Sequence, residues 1–121
     1  MPEPKSDPPP PPRWQEELGA AITVADETGR IVAINRRAAE TLAAEGGRAL
    51  LGSDVFACHP EPARALLREM YAEHRAHHYT INRQGQKKII HQMPVFTDGE
   101  FRGFVEISIP IPDEIPHFDR D

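Results

Sequence analysis

The chain has a single cysteine, Cys58, which excludes an internal disulfide and any metal site built from cysteines alone. It has no apolar run near the roughly 20 residues that a membrane-spanning helix needs. Its opening, MPEPKSDPPPPPRW, lacks the apolar core of a secretory signal. These gaps together lead to the expectation of a cytoplasmic protein with no membrane partner. Positive charge is scarce: 14 Lys and Arg stand against 19 Asp and Glu, for a net charge of -5. The longest basic runs are pairs such as Arg36-Arg37 and Lys87-Lys88. Neutralising phosphates takes clustered cations, so a nucleic-acid partner is excluded.

Catalytic signatures are missing as well. There is no glycine-rich phosphate loop, no nucleophile elbow and no His-Glu-x-x-His pattern. Glu61 lies near His59, but nothing supplies a nucleophile or an oxyanion hole for that pair to serve. A length of 121 residues accommodates one domain and leaves no room for a kinase or cyclase output unit. The expectation is a non-enzymatic module whose output lies in another protein.

What is present reads as three segments: a Pro-rich tail over residues 1–13, one domain over 14–112 and a C-terminal tail over 113–121. Five consecutive prolines, Pro8 to Pro12, favour an extended, solvated spacer over packed structure. Residues 14–18 suit one or two helical turns. Residues 21–25 and 30–34 are β-rich and flank Asp26-Glu27-Thr28-Gly29, which reads as a hairpin. Residues 36–44 switch to Ala, Arg, Glu and Leu, good helix formers, with Asn35 at the N-cap and Gly46-Gly47 as the stop. A short helical turn falls over 48–51. Pro62 at the first helical position opens the longest helix, expected to run to about residue 77, with Ala63, Leu66, Leu67, Met70 and Tyr71 on one face. Strands follow over 79–82, 87–96 and 101–109, joined by Gly-containing turns. The order β-β-α-α-α-β-β-β predicts an α+β domain, an antiparallel sheet with its helices on one face.

The hairpin ITVADETGRIVAIN, the helix start INRRAAETL and the closing DGEFRGFVEIS together resemble the PAS family. The stretch GGRALLGSDVFACHPEPARALLREM is similar to small, often stand-alone bacterial PAS proteins with a Cys-His-Pro segment, and to the PAS domain behind hemerythrin-like domains. The resemblance spans residues 18–111. It implies a five-stranded antiparallel sheet of order 2-1-5-4-3 cupping helices over a cavity. It also implies sensing of a small molecule or cofactor, with output through a homodimer or a separate signalling partner.

Strand periodicity divides the candidates for that chemistry. Ile89, His91, Met93 and Val95 share one face of residues 87–96, opposite Ile90, Gln92, Pro94 and Phe96. On the last strand Val105, Ile107 and Ile109 form the more apolar stripe, which is expected to face the helices. If the odd-numbered face of residues 87–96 accompanies it, His91 and Met93 enter the cavity, either as metal or haem ligands or as packing residues. Cys58-His59-Pro60 has three readings. Cys58 or His59 ligates haem iron; Cys58 is a redox thiol beside a helix N-terminus; or Cys58 packs while His59 and Glu61 cap. His74, His77 and His78 have helical spacing for a shared zinc but lack a further donor. The candidate pocket is therefore Cys58, His59, Leu66, Met70, Tyr79, His91, Met93 and Val105. Haem is its candidate cofactor, with His59, Cys58 or His91 as ligand. A ligand-free adaptor is the alternative, dimerising through Trp14, Leu18 and an outward-facing Phe104.

Overall fold

The computed structural model describes residues 13–121, so the Pro-rich segment read over residues 1–13 lies almost wholly outside the described residues. A short helix α1 (Trp14–Glu17) leads into β1 (Ala21–Asp26) and β2 (Ile31–Ile34). Helix α2 (Arg36–Thr41), two 3-10 turns (Ala43–Glu45 and Gly47–Leu50), α3 (Val55–Cys58) and α4 (Ala63–Glu73) follow. The strands β3 (His77–Arg83), β4 (Gln86–Thr97) and β5 (Glu100–Pro110) close the domain. The sheet is antiparallel throughout, in the order β2-β1-β5-β4-β3. That is the 2-1-5-4-3 order the resemblance implies.

Local chemistry accounts for most boundaries. Asp26 Oδ1 accepts hydrogen bonds from Thr28 N at 2.9 Å, Thr28 Oγ1 at 2.7 Å and Arg30 N at 3.0 Å, which pins the first hairpin. Asn35 is buried, and its Oδ1 accepts from Ala38 N and Ile22 N, both at 2.9 Å, capping α2 and tying it to β1. Its amide donates to the carbonyls of Gln15 and Ala20 at 2.8 Å, which fastens α1 to the same corner.

Helix α4 is shorter than its periodicity predicts. Pro62 is the N-cap rather than the first helical residue, and His74 ends the helix in a left-handed conformation, φ 53°. His77 and His78 therefore belong to β3, and the helical spacing read for His74, His77 and His78 does not exist in the fold. The sheet needs those residues: His77 pairs with Gln92 and His78 with His91.

The larger departure concerns which face the helices cover. Phe104, Leu67 and Met70 form one buried cluster, with Val55, Phe56 and Tyr71 packed against it. The inner face of β5 is thus Phe104, Glu106 and Ser108, and the Val105-Ile107-Ile109 stripe points to the other side. A β-bulge is the reason. Val95 pairs with Gly103 and Phe96 with Phe101, so Arg102 is an extra residue and the alternation inverts across it. Gly103 has φ 128°, and a Cβ there would lie 1.9 Å from the Ala25 carbonyl oxygen, so only glycine fits. Phe101 and Phe104 consequently share the inner face, their ring centroids 5.5 Å apart.

Candidate functional site

Between the inner face of the sheet and α3–α4 lies a cavity of about 50 Å³. An open groove of about 240 Å³ adjoins it and shares His59, Leu67, Met70 and Gln92 with it. One end is closed by aromatic rings. Tyr71 meets Phe104 at 4.8 Å, Phe56 at 5.0 Å and Phe101 at 5.7 Å between centroids, and His74 stacks on Phe101 at 4.0 Å. Tyr71 donates its hydroxyl proton to the Asp26 carbonyl at 3.1 Å. Burial, reinforced by the charges of Asp26, Asp54 and Glu27, pushes its phenol up to about 12.

The floor is polar and continuous across three strands. Gln92 Nε2 donates to Glu106 Oε2 at 3.1 Å, and Gln92 Oε1 lies 3.4 Å from His77 Nδ1. Thr23, the register partner of Glu106, completes the inner row. Tyr79 lines the groove, where burial and then the Glu106 carboxylate raise its phenol above the ordinary value.

His59 is the side chain at the junction of cavity and groove. Its Nδ1 lies 2.6 Å from the Val55 carbonyl, and a carbonyl can only accept, so Nδ1 carries the proton. In the neutral ring Nε2 is left as an acceptor. The segment is held in place by Arg64 Nε, which donates to the His59 carbonyl at 2.9 Å, and by Glu61 Oε2, which accepts from Ala65 N at 3.1 Å. What converges on the space is therefore an apolar wall from α4 and a set of acceptors: His59 Nε2, Glu106 and Gln92 Oε1.

Of the residues singled out from sequence, His59, Leu66, Met70 and Tyr79 border the groove. Cys58 does not. It ends α3 and is exposed, so it lies at a helix C-terminus rather than beside an N-terminus. His91, Met93 and Val105 lie on the opposite face of the sheet, because the bulge sets Met93 against Val105 and His91 against Ile107. Phe104, expected to face outward, is 6% exposed and at the centre of the helix-covered cluster. Trp14 and Leu18 are exposed, at 57% and 42%. Sequence periodicity missed Gln92, Glu106 and His77; the in-strand Gly103 is the signal that would have found Glu106.

Haem does not fit this site. Pockets for drug-sized ligands run to roughly 300–1,000 Å³, and a tetrapyrrole requires at least that space. Of the residues expected to ligate it, only His59 borders the cavity. Among the described residues no helix is long and apolar enough to cross a membrane, and no group of three or more His, Cys, Asp or Glu could hold a metal ion.

No curated protein matches the sequence. Solved structures do. A C-terminal domain from Streptococcus mutans superposes with a TM-score of 0.66 at 16% identity, covering 79% of this chain and 78% of that one. The PAS domain of BvgS from Bordetella pertussis gives 0.56 at 20% identity, covering 83% and 82%. The Aer2 receptor from Vibrio cholerae, described as a dual PAS-heme oxygen sensor, gives 0.59 at 15% identity, covering 77% and 95%. Likeness at these identities concerns the fold. The sequence itself matches the family described as PAS fold over residues 16–114, and the chain belongs to that family.

Proposed function

We infer that this domain is a signalling module that senses a small molecule held between the sheet and α4. The observation that carries the reading is the apolar groove floored by the His77-Gln92-Glu106 row and flanked by His59. Its dimensions suit a ligand of few heavy atoms, and its acceptors suit one that brings hydrogen-bond donors. Nothing in the arrangement positions a nucleophile, so the chemistry is binding rather than turnover. Because α4 forms one wall, occupancy changes the packing of Leu67 and Met70, which is a route from ligand to surface. The cytoplasm is the compartment proposed for it.

Native mass spectrometry of the full chain, compared with its denatured mass, tests the reading. A retained small molecule that is lost in His59→Phe, which fills the junction, is the expected result. Equal ligand retention in that variant and the parent would place the ligand elsewhere.

One observation favours a second reading, an adaptor acting through a homodimer or a partner protein. Met93, Val95 and Ile109 on the outer face are exposed at 37%, 37% and 39%, beside Val105 and Ile107. Trp14 and Leu18 are exposed as well, and Phe104 takes no part in the outer face.

A further inference from the structure

The outer face carries a pair of side chains that neither sensing nor adaptor function explains. His78 on β3 and His91 on β4 are direct cross-strand partners. Their Nδ1 atoms are 2.8 Å apart, with ring centroids at 5.0 Å and an interplanar angle of 66°. Two imidazole nitrogens at that separation cannot both keep lone pairs pointed at one another, so a hydrogen or a metal ion must lie between them. In the metal-free protein it is one ring's N–H proton. A metal ion asks for nearly the same geometry: at M–N bonds of about 2.0–2.1 Å, two cis ligands are separated by about 2.9–3.3 Å. The rings are tilted rather than stacked.

We propose that His78 and His91 form a two-nitrogen chelate for a borderline transition-metal ion on the sheet face opposite the cavity. The donor type selects the ion. Imidazole suits Cu2+, Ni2+ and Zn2+, in an affinity order led by Cu2+, whereas Mg2+ and Ca2+ require oxygen donors. The neighbours on that face (Thr80, Ile89, Met93 and Ile107) include no carboxylate, and no third His, Cys, Asp or Glu joins the pair among the described residues. The ion therefore keeps open positions occupied by water. Metal binding displaces the hydrogen shared between the two Nδ1 atoms, which moves to Nε2 of its own ring as two N–M bonds form, so two neutral imidazoles bind without net loss of a proton. The β-ladder preorganises both ligands, since each ring is fixed by strand register rather than by a loop.

The test is a Zn2+ titration of the full chain, uniformly labelled with 15N, followed by the imidazole nitrogen resonances. The expected result is a saturable one-to-one step in which the His78 and His91 rings shift together, while Mg2+ moves neither. His78→Gln and His91→Gln should each weaken Zn2+ binding by at least about tenfold. His77→Gln, one residue away on the opposite face, should leave it unchanged. The ring shifts in the unsubstituted protein decide the matter even if a variant fails to fold. Zn2+ binding that moves only one of the two rings, that survives either substitution, or that does not occur would overturn the proposal.

Discussion

The two faces of the sheet invert an ordinary assumption about amphipathic strands. The inner face, under α3 and α4, carries Thr23, Gln92, Glu106 and Ser108 among its residues. The outer face, which no helix among the described residues covers as α4 covers the inner one, carries Val24, Ile89, Val105, Ile107 and Ile109. On β5 the more apolar stripe therefore marks the wrong side for the core. The inner face is polar along the row that floors the cavity, and its hydrophobic contribution comes from an aliphatic cluster of Ala21, Ile31, Ile34 and Ala38 and from the aromatic rings around Phe104. Where β5 lines the cavity it gives up aliphatic packing, and its aliphatic stripe lies on the other side.

The inversion rests on Gly103, and replacing it gives the largest expected effect. Gly103→Val would force a side chain against the Ala25 carbonyl in a left-handed backbone, costing about 4 kcal/mol or more, read by urea denaturation. Retained stability would mean that the bulge does not set the faces. Met70, 2% exposed at the centre of the helix-covered cluster, comes next. Met70→Ala should cost about 3 kcal/mol by the same measurement. It should also open the cavity toward the groove.

Asn35→Ala tests the corner where α1, β1 and α2 meet. It strands the amides of Ile22 and Ala38 and the carbonyls of Gln15 and Ala20, for a loss of about 2 kcal/mol.

Tyr71 supplies a smaller, pH-dependent effect. Its folded value of about 12 exceeds the ordinary phenol value of 10, so the native state holds the proton more tightly than the unfolded chain. Stability from this group is intact below pH 10 and declines as pH rises toward 12. Denaturation midpoints across that window should fall less steeply in Tyr71→Phe.

The smallest effect belongs to the outer face. Met93→Ser and Ile109→Ser should each change monomer stability by less than about 1 kcal/mol. A concentration-dependent loss of stability would instead identify that face as a working interface.

Much of the fold was legible in the sequence because its signals are local. The Asp26 and Gly29 turn, the Asn35 cap and the Asp98-Gly99 hairpin fix element boundaries and hairpins through contacts a few residues long. The β1–β5 pairing that sets the strand order is long-range and was implied by the resemblance alone. The α4 terminus was not legible, because Arg75 to His78 read equally well as helix until the pairing of His77 and His78 with β4 overrides propensity. The cavity face failed for a sharper reason. The Asp98-Gly99 turn pairs Phe96 with Phe101, and continued without interruption it would set Met93 opposite Phe104. One extra residue at Arg102 sets Met93 opposite Val105 instead. The extra residue inverts β5 alone, so Val105 leaves the inner face and Glu106 enters it, while on β4 unbroken alternation keeps Gln92 inside and His91 and Met93 outside.

The central claim, a small-molecule site under α4 on the polar face, is tested most directly by backbone shift mapping of the full chain against small donor-bearing fragments. Shifts clustered at His59, Leu67, Met70, Tyr79 and Gln92 are the predicted result. Shifts confined to Ile89, Met93, Val105 and Ile107, or no saturable shift with any fragment, would contradict it.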